Sequence, residues 1–216
     1  RDVLLASMAK HQRVFAMESQ GRLLPRCVAV LEGNPKQPAN VRKVVERILN
    51  ARLADSLLFW AADQKTPLHQ RDLTTVTFHQ KLGSMAEKTQ RMVQYSRILA
   101  KDWALSAQES KQLERACLLA KADLVTTLVR EFPTLQGIMG KYYALHDGEP
   151  QEVAEAISEH YLPLAGEAPR TLLGSALSIL DKYDTLLSYF SVGIQPTGDQ
   201  DPFGLRRAAQ GIVEVG

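Results

Sequence analysis

The chain has 216 residues, 45% of them apolar and 23% charged, which is enough to bury a real core as one large domain or one and a half small ones. A net charge of +2 excludes a strong global field for nucleic acid, so any basic binding face must be local. No run approaches the ~20 apolar residues of a membrane span, and no signal peptide is visible. Cys27 and Cys117 lie in apolar runs without metal-ligand spacing and read as buried, reduced thiols, which fits a cytosolic compartment.

Residues 3–32 read as strands, with Val3-Leu4-Leu5, the run up to Met17, a turn at Ser19-Gln20-Gly21, and Cys27 to Leu31 as a buried strand. A lone hairpin is marginal, because three or more strands or a packed helix are normally required. The expectation is therefore that 1–38 are the β remnant of an upstream body domain, cut from something longer. After the Gly33–Pro38 loop, Asn40 is expected to cap a long helix to Asp63, roughly 36 Å in length. Val41, Val44, Val45, Ile48, Leu49, Leu53, Leu57 and Leu58 recur there at helical spacing. Residues 39–75 thus form a connecting helix and linker.

Two capping boxes follow, Ser84-Met85-Ala86-Glu87 and Ser106-Ala107-Gln108-Glu109. They predict an antiparallel helix pair, the first helix reaching about Ala104 and the second ending at Phe132-Pro133. Gly137 and Gly140 allow a sharp turn or a close backbone approach. Another helix follows Pro150 and ends near Pro163. A further one starts at Pro169 and closes at Gly193. Asp201-Pro202 caps the last, with proline at its first position. Residues 76–216 are expected to be one mainly α domain.

Chemistry-bearing residues are sparse. Asp123 stands mid-helix in this reading, and Asp181 and Asp184 stand on the later apolar helix, where acids are expensive unless paired or hydrogen-bonded. This placement resembles the HD phosphohydrolase superfamily, in which histidines and aspartates on helices hold divalent metal. By that resemblance Asp123 matches the acid of the His-Asp pair and Asp181 the distant aspartate. Ala122 stands where the partner histidine would be, and a residue near Arg91 where the first would be. No metal site is expected from the vestigial pair, whose carboxylates should bond to Lys, Arg or backbone groups. His69 and His79 lack a partner cluster, His11 sits in a polar cluster, and His160 reads as a helix-terminal hydrogen bond.

Lys121-Ala-Asp-Leu-Val-Thr-Thr-Leu-Val-Arg-Glu-Phe-Pro-Thr-Leu-Gln-Gly-Ile-Met-Gly-Lys-Tyr-Tyr-Ala144 closely resembles the β subunits of bacterial glycyl-tRNA synthetase. So do Ser7 to Arg13, Leu49 to Asp55, Val76 to Gly83, Ala156 to Tyr161, Asp181 to Leu186 and Pro196 to Arg207, in the same order. Val14 is a minor departure, where the family commonly has an aromatic. The resemblance implies a mainly α fold, an HD-superfamily-like bundle with a short N-terminal β hairpin, running into a downstream helical domain. It implies a cytoplasmic, non-catalytic segment that positions the acceptor arm of tRNA-Gly beside a separate α subunit. ATP and Mg would be used on that α subunit, with no cofactor on this segment and neither membrane nor DNA as partner.

Holding an acceptor arm requires Lys and Arg at phosphates. The candidates are Lys81, Lys88, Arg91 and Lys141, with Arg206 and Arg207 as a second set. The last two are adjacent on a helix and point different ways, so at most one of them faces RNA. Two other readings are a metal-dependent HD-type phosphohydrolase and an architectural module contacting the α subunit.

Overall fold

The computed structural model describes all residues except Arg13 and Asp199, together with the side chains of 10–12, so the strand reading at Arg13 and the setting of His11 lie outside the described residues. The described chain is mainly helical with a small β hairpin. It clusters into two units, Arg1–Lys65 with Thr127–Leu135, and Thr66–Thr126 with Gln136–Gly216. Among the described residues no helix is long and apolar enough to cross a membrane.

In the first unit the opening stretch is not a strand. Residues Asp2–Gln12 form helix α1, in which Leu4 and Met8 are one turn apart and Ser7 and Met8 are buried. Its apolar residues recur at helical spacing, and Ala6, Ala9 and Lys10 are good helix formers. The hairpin follows, β1 (Val14–Ser19) antiparallel to β2 (Arg22–Ala29), turning at Gln20-Gly21. Its register slips between Ala16 and Glu18, opposite Pro25, which has no N–H to give a ladder. Cys27 on β2 is half-buried, not fully buried, and free.

The long helix α2 runs Pro38–Asp63. Its N-cap is Gln37, with Pro38 at the first position; Asn40 lies inside the helix and donates its side-chain amide to Gln37. The apolar stripe is only partly covered: Val44, Ile48, Leu57 and Leu58 are exposed. The C-terminal end of α2 has a second task. Asp63 is buried, and its carboxylate accepts from the backbone amides of Thr127 (2.8 Å) and Leu128 (3.0 Å), so it caps helix α5 (Thr127–Glu131) from a distance.

The second unit begins with 3-10 turns and a two-residue pairing of β3 (Thr77–His79) with β4 (Gly83–Ser84). Both capping boxes form as expected, opening α3 (Met85–Asp102) and α4 (Ala107–Leu119), which pack on one another. The helix from Ser106 does not reach Phe132, however. It ends at Leu119, passes through a 3-10 turn at Ala122–Val125, and restarts as α5. The run Val125-Thr126-Thr127 is β-branched and weakens a helix. Thr126 is extended and turns its hydroxyl onto the Asp123 carbonyl (2.6 Å).

Helices α6 (Ile138–His146), α7 (Gln151–Glu159), α8 (Leu172–Ser191) and α9 (Leu205–Val215) complete the bundle, with α7 and α3 both packed on α8. Gly137 takes a φ of 79° where α6 begins, and a Cβ at Gly140 would stand 2.7 Å from the Ile157 side chain, so both glycines serve the turn and the close approach. Leu113, Ile157 and Leu177 are wholly buried, each contributing about 1.5–3 kcal/mol by removal from water. α8 starts at Leu172, with Thr171 as its cap accepting from Gly174. α9 starts at Leu205, three residues later than proline-first reading gives. Its N-cap is Gly204 and not Asp201, whose carboxylate still accepts from the amides of Leu205 (2.8 Å) and Arg206 (2.9 Å).

Candidate nucleic-acid interface

The candidate residues fall into two settings, an internal ionic centre and an open surface. The centre is built where α3 crosses α8. Asp181 and Asp184 are one turn apart on α8, and Lys88 and Arg91 are one turn apart on α3, so the two pairs meet face to face. Lys88 Nζ lies 3.2 Å from both Asp181 Oδ1 and Asp184 Oδ2, and it also donates to the Asp181 carbonyl and the Thr185 hydroxyl at 2.9 Å. Arg91 holds Asp184 through Nε (2.7 Å) and Nη2 (3.1 Å), a two-point geometry that suits guanidinium and carboxylate.

Lys121, at the head of the 3-10 turn, enters from another side. Its Nζ is 3.1 Å from Asp181 Oδ1, 2.8 Å from His160 Nε2, and 4.1 Å from the centre of the Tyr161 ring. His160 donates from Nδ1 to the Ile157 carbonyl (2.6 Å), which leaves Nε2 as the acceptor for the lysine. Burial, with the Lys121 charge added, pushes this imidazole down to about 3, so it is neutral. Burial also lowers Lys121, against the pull of Asp181. For Asp181 burial acts upward, but Lys121 and Lys88 together outweigh it and hold the carboxyl well below its ordinary range. Lys182, lowered to about 8 by burial, donates to the carbonyls of His160 (3.2 Å) and Leu162 (2.6 Å).

Asp123 sits apart from these cations in bonding terms. It is fully buried at the 3-10 turn, not mid-helix, and its Oδ2 accepts from the amides of Gly137 (2.6 Å) and Gly140 (3.1 Å) at the start of α6. Among the described residues Oδ1 has no hydrogen-bond partner. Burial raises this carboxyl to about 6, with the Gly137 amide opposing. Among the described residues no group of three or more His, Cys, Asp and Glu could hold a metal ion. Around Asp181 the positions within hydrogen-bond reach already carry two ammonium groups, which would repel a divalent cation.

The six basic candidates separate accordingly. Lys88 is buried inside the centre, so in this fold it is not open to a phosphate, a correction forced by its two carboxylate partners. Arg91 is half-buried against Asp184, and Lys141 is paired with both oxygens of Glu155 at 2.7 Å. Lys81, Arg206 and Arg207 are exposed and, among the described residues, make no ion pair within 4 Å. Arg206 and Arg207 act on Asp201 only at longer range. Arg207 borders a hollow with Pro163 to Ala168, whereas Arg206 does not. Lys121, Tyr161 and Lys182 escaped the sequence reading; the one available signal was a lysine, Lys121, in the apolar run Leu118-Leu119-Ala120-Lys121-Ala122.

In this mainly helical bundle Asp123 and Asp181 are held by backbone amides and lysines respectively, and Lys81, Arg206 and Arg207 stay open to solvent. The chain belongs to the glycyl-tRNA synthetase beta subunit family, whose profile matches residues 1–216. It is 49% identical over 219 residues to the glycine–tRNA ligase beta subunit of Streptococcus pyogenes serotype M6, covering 99% of this chain and 32% of that one. Against the beta subunit of Streptococcus gordonii the identity is 47%, with the same coverage. The chain therefore spans 32% of the length of these relatives.

Proposed function

We propose that this chain is a non-catalytic, tRNA-binding segment of a glycine–tRNA ligase beta subunit in the cytoplasm, supporting ATP-dependent attachment of glycine to tRNA-Gly by positioning the acceptor arm. In this reading residues 76–216 are the degenerate HD-like domain. Glycine activation, with ATP and Mg, belongs to the α subunit of the hetero-oligomer. The observation that carries the RNA role is the exposure of Lys81, Arg206 and Arg207 without ion pairs among the described residues, while the other candidates serve internal bonds.

The test is binding of the chain to tRNA-Gly and to an acceptor-stem minihelix across a salt series. Binding to both is expected, with a steep salt slope. Charge reversal at Lys81 or Arg206 should flatten that slope by about one unit per lost phosphate contact. No binding to either RNA would leave the architectural reading, which the exposed apolar residues Leu57 and Leu58 on α2 favour. The phosphohydrolase reading is opposed by Lys88 and Lys121, whose ammonium groups crowd Asp181.

A further inference from the structure

Four rings from three distant segments meet at one place in the second unit. Phe78 and His79 come from β3, Tyr189 from the end of α8, and Phe203 from the segment that leads into α9. Tyr189 is stacked on Phe203 with ring centres 4.5 Å apart and is met edge-on by Phe78 and His79, each at 5.4 Å. His79 also meets Phe203 edge-on at 5.8 Å. The imidazole is itself fixed, since Nδ1 accepts from the Lys81 amide (3.2 Å) across the β3–β4 turn. Tyr189 is buried, yet Phe203 at the outer end of the stack is 42% exposed.

Basic residues lie close to this cluster. Lys81 follows His79 by two residues, Arg206 follows Phe203 by three, and the Arg91 guanidinium lies 5.8 Å from the Phe78 ring. The acid in the same segment, Asp201, is engaged by the amides that open α9. A fixed, partly exposed ring beside two cations, Lys81 and Arg206, that make no ion pair among the described residues is the pairing of features that binds unpaired nucleotides, where bases stack on aromatics and the backbone tracks positive charge. Within a helical RNA stem the bases are stacked on one another and leave a free face only at the terminal pair. A ring already pinned by its neighbours loses little freedom on binding.

We propose that Phe203, backed by Tyr189 and His79, is a stacking platform for an unpaired nucleotide of RNA, with Lys81 and Arg206 taking the adjacent phosphates. The proposal rests on the tRNA-binding reading above and joins both basic sets in one place. It makes the contact one with unpaired RNA rather than with stem alone.

The experiment uses the 216-residue chain and a short single-stranded RNA carrying 2-aminopurine, a blunt RNA hairpin of matched length, and tRNA-Gly. Wild type should change the fluorescence of the single strand and prefer it to the hairpin. Phe203→Leu keeps an apolar filler without a π face, so it guards against a folding defect in Phe203→Ala. Both should weaken single-strand binding about 5- to 150-fold with an unaltered salt slope, and Phe203→Tyr should restore it. Lys81→Glu should flatten the slope. If tRNA-Gly and the single strand bind Phe203→Leu as tightly as wild type, the platform is wrong while the tRNA-binding reading stands. If wild type prefers the blunt hairpin, the platform is likewise wrong. If wild type binds none of the RNAs, both fall together.

Discussion

Asp181→Asn removes the one charge that two buried ammonium groups share. The Asp181 Oδ1 atom is 3.1 Å from Lys121 Nζ and 3.2 Å from Lys88 Nζ. At an effective dielectric constant of about 20, each attraction is roughly 5 kcal/mol, offset by several kcal/mol for holding the ions away from water. After the substitution Lys121 keeps a neutral histidine and an aromatic face, and Lys88 keeps Asp184 alone. Breaking a buried pair from one side costs about 3–5 kcal/mol, which in a domain of this size lowers Tm by about 6–20 °C. Asp181 is held below its ordinary carboxyl range in the folded state, so its contribution is present above the unfolded carboxyl pKa and disappears as pH falls through the folded one. Thermal and urea unfolding at neutral and acid pH should therefore show the largest deficit at neutral pH, narrowing below about pH 4. A variant within 1 kcal/mol of wild type at pH 7, on the scale set by exposed pairs, or one equally weakened at both ends, would refute this account of the centre.

Three further substitutions probe the other features. Asp63→Ala removes the acceptor for two amides of α5 and should cost about 1–3 kcal/mol in urea unfolding, a loss below 0.5 kcal/mol being incompatible with the cap. For Asp123, raised to about 6, the folded state holds the proton more tightly than the unfolded chain, so its contribution to stability is greatest at low pH and is lost as pH rises through 6. Asp123→Asn should abolish that decline, worth at most about 3 kcal/mol; parallel urea midpoints for both proteins from about pH 4 to 7 would contradict it. Lys141→Met breaks a half-exposed pair with Glu155 and should change stability by no more than about 1 kcal/mol, so a loss comparable to that of Asp181→Asn would show the burial contrast to be wrong.

What could be read from the residues follows the range of the interactions involved. The two capping boxes are local, Ser to Glu within four residues, and both form as the sequence implies. The mainly helical class was also legible, because its amphipathic runs are long. The opening stretch was not, since Val3-Leu4-Leu5 alone fits strand or helix and only burial of the Met8 turn decides. The break at Leu119 depends on Asp63, far back in the chain, supplying a cap for α5. The same holds for the basic residues. Lys88 looks like any surface lysine until α8 brings Asp181 and Asp184 to it across more than ninety residues. Arg206 and Lys81 have no such partners among the described residues, and no window of sequence distinguishes the two cases.

The short helix α5 has a consequence for how this polypeptide comes apart. Residues Thr127–Leu135 belong to the first unit although they are encoded inside the second, so the backbone passes between the units three times, as a thread does in a darn. A protease nick near Lys65 would cut one of those passages and leave two, and the seat of α5 on α2, with Asp63 bonded to its first amides, would survive the cut. The nicked protein should migrate as one species until it is denatured. A truncation that begins at Thr66 would instead carry Leu128, Val129 and Phe132 with nothing of α2 to cover them, and the aggregation of such a piece would report the missing first unit rather than any fault in the bundle.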